Sequence, residues 1–344
     1  MKLKLSMDYL APMQENVLDP LEERIIHALQ IEGRASWAEL APLLGADAVT
    51  LSRRWESLRE RGLAWVTGIF TEGASALVDI TCMPQHTAKV AQELTKIPAV
   101  MTLDHTSGGR DLLATVLAEN PLAIWDVVTN RIGALDGVRN TQTHLVTEMI
   151  MEASAWRLRA LTPAEAAKVA KPKAPRARAP RTVHPDVEHA LRHCLLEDGR
   201  RPVSRIAAEH GLSEQRVADG LARMRADGRL RLRTDVARSV TGWPVYAWYF
   251  VRTAAKHIQQ MRGLMAQIPE ARTALAVASQ YNLVVAVWLR EMTDVMRFEA
   301  ALEAAVPSAR IVDRSVVFRM SKHLGHVIDD QGRATLGFVH PFSP

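Results

Sequence analysis

GRASWAELAPLLGADAVTLSRRWESLRERG, residues 33–62, and GRRPVSRIAAEHGLSEQRVADGLARMRADG, residues 199–228, align without a gap at a shift of 166 positions. In that register Leu40 falls on Ile206, Ala41 on Ala207, Gly45 on Gly211, Leu51 on Val217, Leu58 on Met224 and Gly62 on Gly228. Further along, Ile97-Pro98 matches Ile268-Pro269, Asp111-Leu112 matches Asn282-Leu283, and Arg139 matches Arg310, now at a shift of 171. The sequence therefore repeats two consecutive modules in order, and a repeat of this kind constrains the architecture before any propensity argument.

Outward from Gly33, the first module reads as three short helices. Leu21, Ile25, Ala28 and Leu29 form the apolar stripe of an amphipathic helix, which Gly33 is expected to end in the left-handed conformation. Ser36 with Glu39 makes a capping box for a second helix carrying Leu40, Leu43 and Leu44. Gly45 permits a turn, Asp47 caps a third helix with Leu51, Trp55 and Leu58 on its buried face, and Gly62 stops it; Leu63–Gly68 then reads as a wing. The second copy offers Val187, Leu191 and Leu195, then Ile206 and Ala207, Gly211, the cap Ser213, and Val217, Leu221 and Met224. Helix, helix, glycine turn and helix is the spacing of a helix-turn-helix. A plain three-helix packing unit is the alternative, weakened by its occurring twice ahead of the same second module.

The third helices differ. The first exposes Val49, Thr50, Ser52, Arg53, Arg54 and Ser57, short hydrogen-bonding groups and guanidiniums suited to base edges and phosphates in a major groove. The second offers Gln215, Arg216 and Arg223, but places Asp219 where the first has Arg53, and Gly220 where it has Arg54. It is expected to read a degenerate half-site, or to contribute through Arg225, Arg229, Arg231 and Arg233, which could equally be a solvated face.

The second module alternates strands and helices. Ala76–Met83 is a strand, Pro84 opens a helix, Val100–Thr106 and Leu112–Ala118 flank the turn Ser107-Gly108-Gly109-Arg110, Asn120-Pro121 starts a helix, and Val138–Val146 is the last strand. The order β-α-β-β-α-β is the split βαβ, or ferredoxin-like, arrangement. The second copy gives Val245–Val251, His257–Ile268, Thr273–Ser279, Leu283–Leu289, Thr293–Ala305 and Ile311–Met320. Each sheet would have one bare face, which must meet another sheet or expose apolar surface. The fold class is thus α+β: two copies of a winged helix-turn-helix followed by a βαββαβ domain. The boundaries fall at 18–68, 69–155, a linker at 156–184, then 185–241, 242–330 and a tail at 331–344.

With 48% apolar and 24% charged residues the composition is globular, and no apolar run approaches the length of a membrane span. MKLKLSMDYLAPMQENVLDP lacks the apolar core of a signal peptide, and Cys82 and Cys194 stand in different modules, so a cytoplasmic protein without disulfides is expected. Net charge is −5 over residues 1–160 and +5 in each of 161–185 and 186–344. The stretch KVAKPKAPRARAPRTV has no acid and too little apolar surface to fold, so it reads as an extended tether. Its Lys171, Lys173, Arg176, Arg178 and Arg181 could also follow a phosphate backbone. His323 and His326 stand at i, i+3 without companion ligands, so no metal site, cofactor or catalytic residue is expected. Trp243, Trp248 and Tyr249 read as core or interface aromatics.

The chain resembles the Lrp/AsnC, or feast/famine, family of transcriptional regulators in tandem form. The residues that carry the resemblance are Leu18-Asp19, Glu32-Gly33-Arg34, Glu39-Leu40-Ala41, Arg59-Glu60-Arg61-Gly62 and the Gly109-Arg110-Asp111-Leu112 hairpin, over about 300 of 344 residues. It departs from the family in having two copies and in a second hairpin, Ser279-Gln280-Tyr281-Asn282-Leu283, without glycine. The resemblance implies a partner in double-stranded DNA and a small effector, usually an amino acid. The effector would sit near Gly108, Gly109, Arg110 and Asp111, and near Gln280, Tyr281 and Asn282 in the second copy. It also implies that the two effector domains of one chain pair as the family's dimer does, with further association of chains. Two alternatives stay open. One is an enzyme similar to duplicated proteins of this fold that decarboxylate siroheme, for which the hairpins supply His105 and Arg110 but only Tyr281-Asn282 in the second copy. The other is an architectural protein that binds DNA without sequence preference.

Overall fold

The computed structural model describes residues 18–341 apart from residues 173, 178, 266 and 307. The stretch read for a leader, residues 1–17, and two of the linker cations, Lys173 and Arg178, lie outside the described residues. The first half begins with α1 (Pro20–Ile31), α2 (Trp37–Leu44) and α3 (Ala48–Glu60). Asp19 with Glu22, and Ser36 with Glu39, form reciprocal capping boxes, and the Asp47 carboxylate accepts from the amides of Val49 and Thr50. Gly45, at φ 73°, makes the turn before α3, whose Leu51, Trp55 and Leu58 are buried against α1 and α2. Gly33 corrects the expectation of a left-handed cap. The helix instead ends on Glu32 at φ −138°, and a Cβ at Gly33 would stand 3.1 Å from Leu232 Cβ, so close approach is what the position requires.

The chain continues as β1 (Ala64–Phe70), β2 (Ala74–Cys82), α4 (Thr87–Lys96), β3 (Val100–Thr106), β4 (Leu112–Ala118), α5 (Pro121–Asp126, extended by a π-turn), β5 (Val138–Met151) and the short α6 (Pro163–Ala166). The second half runs α7 (Pro185–Glu197), α8 (Val203–Glu209), α9 (Glu214–Ala226), β6 (Leu230–Val236), β7 (Val245–Arg252), α10 (Ala255–Met265), β8 (Ala271–Ala278), β9 (Leu283–Leu289), α11 (Asp294–Ala305), β10 (Arg310–His323), β11 (His326–Ile328) and β12 (Ala334–Phe338).

Two pairings join the halves. β1 lies antiparallel to β6 from Ala64↔Val236 to Phe70↔Leu230. This corrects the reading of Leu63–Gly68 as a wing: the strand takes its ladder partner from the other half. The second pairing closes a barrel. Within each half the strand order is β3-β4-β2-β5 or β8-β9-β7-β10, the ferredoxin-like order. β5 runs past its own sheet, so that Leu145–Met151 pairs with β8, while β10 pairs with β7 through Val316 and with β3 from Val317 to His323. Eight strands thereby form a ring, and the bare faces anticipated from sequence line its interior.

Period-2 alternation sorts the side chains. Ala76, Val78 and Ile80 of β2 face α4 and α5, while Leu77 points inward; Ala247, Tyr249 and Val251 of β7 face α10 and α11, while Tyr246, Trp248 and Phe250 point inward. The linker and tail depart from the sequence reading. Leu158 N donates to Gln30 Oε1 and Leu161 N to His27 Nδ1, with Leu161 and Val169 buried, so the segment is a strap laid on α1. The described part of the segment read as a tail, residues 331–341, is packed on the protein. β12 pairs with β11, Ala334 N donates to Gly62 O, and a Cβ at Gly62 would meet Ala334 O at 2.0 Å.

Candidate functional site

α3 presents an open face. Val49 is 77% exposed, Arg53 is exposed with no ion pair among the described residues, and Ser52 and Ser57 are half-buried beside it. Two predicted contacts are engaged within the protein: the Thr50 hydroxyl donates to Asp47 at 2.7 Å, and Arg54 reaches Asp19 at 2.6 Å.

On the corresponding face of α9 the strap holds Asp219 and Arg223, while Gln215 and Arg216 stay exposed. Arg176 grips Asp219 through two hydrogen bonds of 2.9 and 2.7 Å, and Arg223 donates to Pro180 O. Gln215 donates to Asp219 and Arg216 pairs with Asp186. Gly220 packs so closely on α7 that a Cβ would stand 2.5 Å from Val187 Cγ1. The basic rim is mostly engaged in ion pairs within the protein. Arg225 pairs with Glu32, Arg229 with Glu72 and Glu188, and Arg233 with Asp235 and Glu152, which leaves Arg231 exposed.

The two hairpins converge on one buried cluster. Arg110, 4% exposed, contacts Asp79 at 2.8 Å and donates to Ser315 and Asp313 at 2.5 Å each, with Phe250 beneath its guanidinium at 3.9 Å. Tyr281 packs on Phe250 and His144, and burial raises its hydroxyl pKa. Asp111 accepts from Cys82 N, and Asn282 bonds to both backbone groups of Thr253. Gly108, Gly109 and Gln280 stay exposed at the turns. Arg110 is thus turned inward onto Asp79, Asp313 and Ser315, while its Nε, Asp79 Oδ1 and both His144 nitrogens have no hydrogen-bond partner among the described residues. His105 Nε2 lies 2.7 Å from Ser321 Oγ, and burial brings its imidazole down to about 4.

A larger opening was not legible in the sequence. A cavity of about 1030 Å³ lies between the barrel and the β1–β6 ribbon, lined among others by Trp65, Arg233, Tyr246, Arg272, Trp288 and His323. Burial pushes the Asp235 carboxyl up, yet Arg233, His323 and Arg272 hold it well below the usual carboxylate range. Burial, with Arg233 nearby, brings Arg272 down to about 9, and its guanidinium lies 3.9 Å from the Trp288 ring. Asp235 Oδ2, His323 Nδ1 and Trp65 Nε1 have no hydrogen-bond partner among the described residues. Cations, indoles and unsatisfied polar atoms around such a volume suit an anionic, flat ligand larger than an amino acid.

Two family models match the first half: an AsnC-type helix-turn-helix domain over residues 18–59 and an Lrp/AsnC ligand binding domain over residues 75–156. An uncharacterised HTH-type transcriptional regulator of Pyrococcus furiosus is 25% identical over 139 residues, 39% of this chain and 94% of its own length. The HTH-type transcriptional regulator LrpA of Pyrococcus abyssi is 25% identical over 140 residues, 39% of this chain and 99% of its own. Among solved structures, the siroheme decarboxylase NirDL aligns over 88% of this chain and 92% of its own, with a TM-score of 0.58 and 14% identity, a likeness of fold. No helix among the described residues is long and apolar enough to cross a membrane.

Proposed function

From the premise that this chain belongs, through residues 18–156, to the Lrp/AsnC family of helix-turn-helix regulators, we propose that it binds double-stranded DNA through α3 and that a small molecule in the large cavity modulates this binding. On this reading the second half is a second copy of the same unit, and one polypeptide supplies both halves of the family's dimer. The observation that carries it is the contrast between the recognition helices: α3 offers Arg53, Val49, Ser52 and Ser57 to solvent, whereas the face of α9 is largely taken up by internal contacts. We place the effector in the cavity rather than at the hairpins because the cavity combines unsatisfied polar groups with open volume, whereas the unsatisfied Arg110 Nε and His144 nitrogens of the hairpin cluster are buried. An amino acid is the smallest candidate, and a larger anionic metabolite fits the volume better.

Fluorescence anisotropy on DNA flanking the protein's own gene, against scrambled DNA and across a salt series, tests this. Preference for the flanking DNA, with a steep salt dependence, is the expected result. Arg53→Ala should weaken specific binding by about 1–3 kcal/mol. Equal affinity for every sequence would leave a non-specific binder. A second reading, a siroheme decarboxylase-like enzyme, draws on the same cavity with its arginines and His323. A bound tetrapyrrole visible in the absorption spectrum of the purified protein would favour it.

A further inference from the structure

We infer that the second helix-turn-helix unit carries a site for one transition-metal ion of the zinc class, with Cys194, Glu209 and His210 as donors and the imidazoles of His193 and His340 beside them. Cys194 Sγ lies 3.4 Å from His210 Nε2 and 3.6 Å from Glu209 Oε2, and donor atoms of all three residues lie within 4.8 Å of one another. A tetrahedral ion with a metal–sulfur bond of about 2.3 Å and metal–nitrogen or metal–oxygen bonds of about 2.1 Å separates its S and N, or S and O, donors by about 3.6 Å. The two spacings from sulfur are therefore already those of a filled site. The His193 ring stands 5.8 Å from that of His210 and 4.5 Å from that of His340, which puts further imidazoles beside the three donors.

The donor set selects the metal. Thiolate and imidazole favour zinc and its soft or borderline neighbours over magnesium or calcium, which take oxygen. Access is open, since Cys194 is buried while Glu209 and His193 are exposed and His210 is half-buried. One competitor is present: the Arg201 guanidinium holds the same Glu209 oxygen at 3.0 Å and also bonds the Cys194 sulfur, so it must swing away for an ion to enter. The carboxylate must leave Arg201, or offer its other oxygen, for the ion to take it. The donors come from three segments: Cys194 and His193 from α7, Glu209 and His210 from the end of α8, and His340 from beyond β12. An ion here would fasten α7 to the turn that precedes α9 and, through His340, to the segment that follows β12.

The test uses the full-length protein stripped with a chelator and titrated with Co²⁺, followed by Zn²⁺ competition. One equivalent of tetrahedral Co²⁺ with a thiolate charge-transfer band is expected, displaced by Zn²⁺ and not by Mg²⁺. Cys194→Ser should lose the band while retaining far-UV circular dichroism. His210→Ala, on the half-buried rim, should weaken binding about tenfold or more, and Arg201→Gln should tighten it. Should Cys194→Ser fail to fold, His210→Ala and Arg201→Gln decide the matter. Absence of a thiolate band at stoichiometric Co²⁺, its survival in Cys194→Ser (which would move it to Cys82), or indifference to both His210→Ala and Arg201→Gln would overturn the site.

Discussion

Asp104 accepts a hydrogen bond from Trp248 Nε1 at 2.9 Å inside the barrel, and burial raises its carboxyl to about 7. A carboxyl raised in the folded state holds its proton where the unfolded chain has lost it. Its contribution to stability is therefore complete below the ordinary aspartate range and is lost as pH rises through about 7. Asp104→Asn cannot ionise, so it should gain on the wild type between about pH 5 and about pH 8, by about 1 kcal/mol or more. Urea midpoints of both proteins at the two pH values measure this, and a gap that does not change with pH would refute it. Gly220 makes a second case. Helix propensity alone favours alanine there by about 1 kcal/mol, but the added methyl would stand 2.5 Å from Val187 Cγ1. Gly220→Ala should therefore lower stability by about 1–3 kcal/mol, and adding Val187→Ala should recover part of the loss. A rise in Tm for the single variant would show that α7 yields more easily than its packing implies.

At the scale of elements, the strap over residues 156–184 is the segment whose behaviour departs most from its composition. Alanine, proline and like charges gave it no reason to fold by itself, and it is ordered by partners elsewhere: His27 and Gln30 on α1, Glu165 with Arg24, and Asp219 on α9. Arg176→Ala should expose the strap, giving several-fold faster limited trypsin cleavage within residues 168–181, and unchanged protection would mean the Asp219 contact is idle. Local rules made much of the fold legible: Ser36, Asp47, Asn120 and Ser213 cap the helices expected of them. Non-local features stayed hidden. β5 was expected to stop at Val146 and β10 at Met320, yet both run on to pair with the other half's sheet, because the partner strand makes the extension favourable. The cavity and the Cys194–His210 cluster were hidden for the same reason, since their residues lie far apart in sequence.

At the scale of the molecule, the dipeptides that disclose the repeat also meet. Arg34 donates to Gly199 O and Arg201 O at 2.8 and 3.0 Å, and Arg200 reaches Gly33 O and Ala35 O at 2.7 and 3.1 Å. Burial lowers both guanidinium pKa values, Arg200 to about 10. Removing either arginine leaves two carbonyls without that donor, so Arg34→Ala and Arg200→Ala should each cost about 1–3 kcal/mol. Because the barrel belongs to both halves, urea unfolding followed by circular dichroism and by tryptophan fluorescence should trace one coincident transition. Two separated transitions would mean that the halves are autonomous. The hold of the strap on α9 has a further consequence. Two-fold proteins that present two equal reading heads select palindromes, since operator symmetry mirrors protein symmetry. On the proposed function, a chain whose two heads present unlike faces has no cause to prefer a dyad. Its footprint acquires a direction, and inverting the site relative to a promoter would change which neighbour the protein's other half faces.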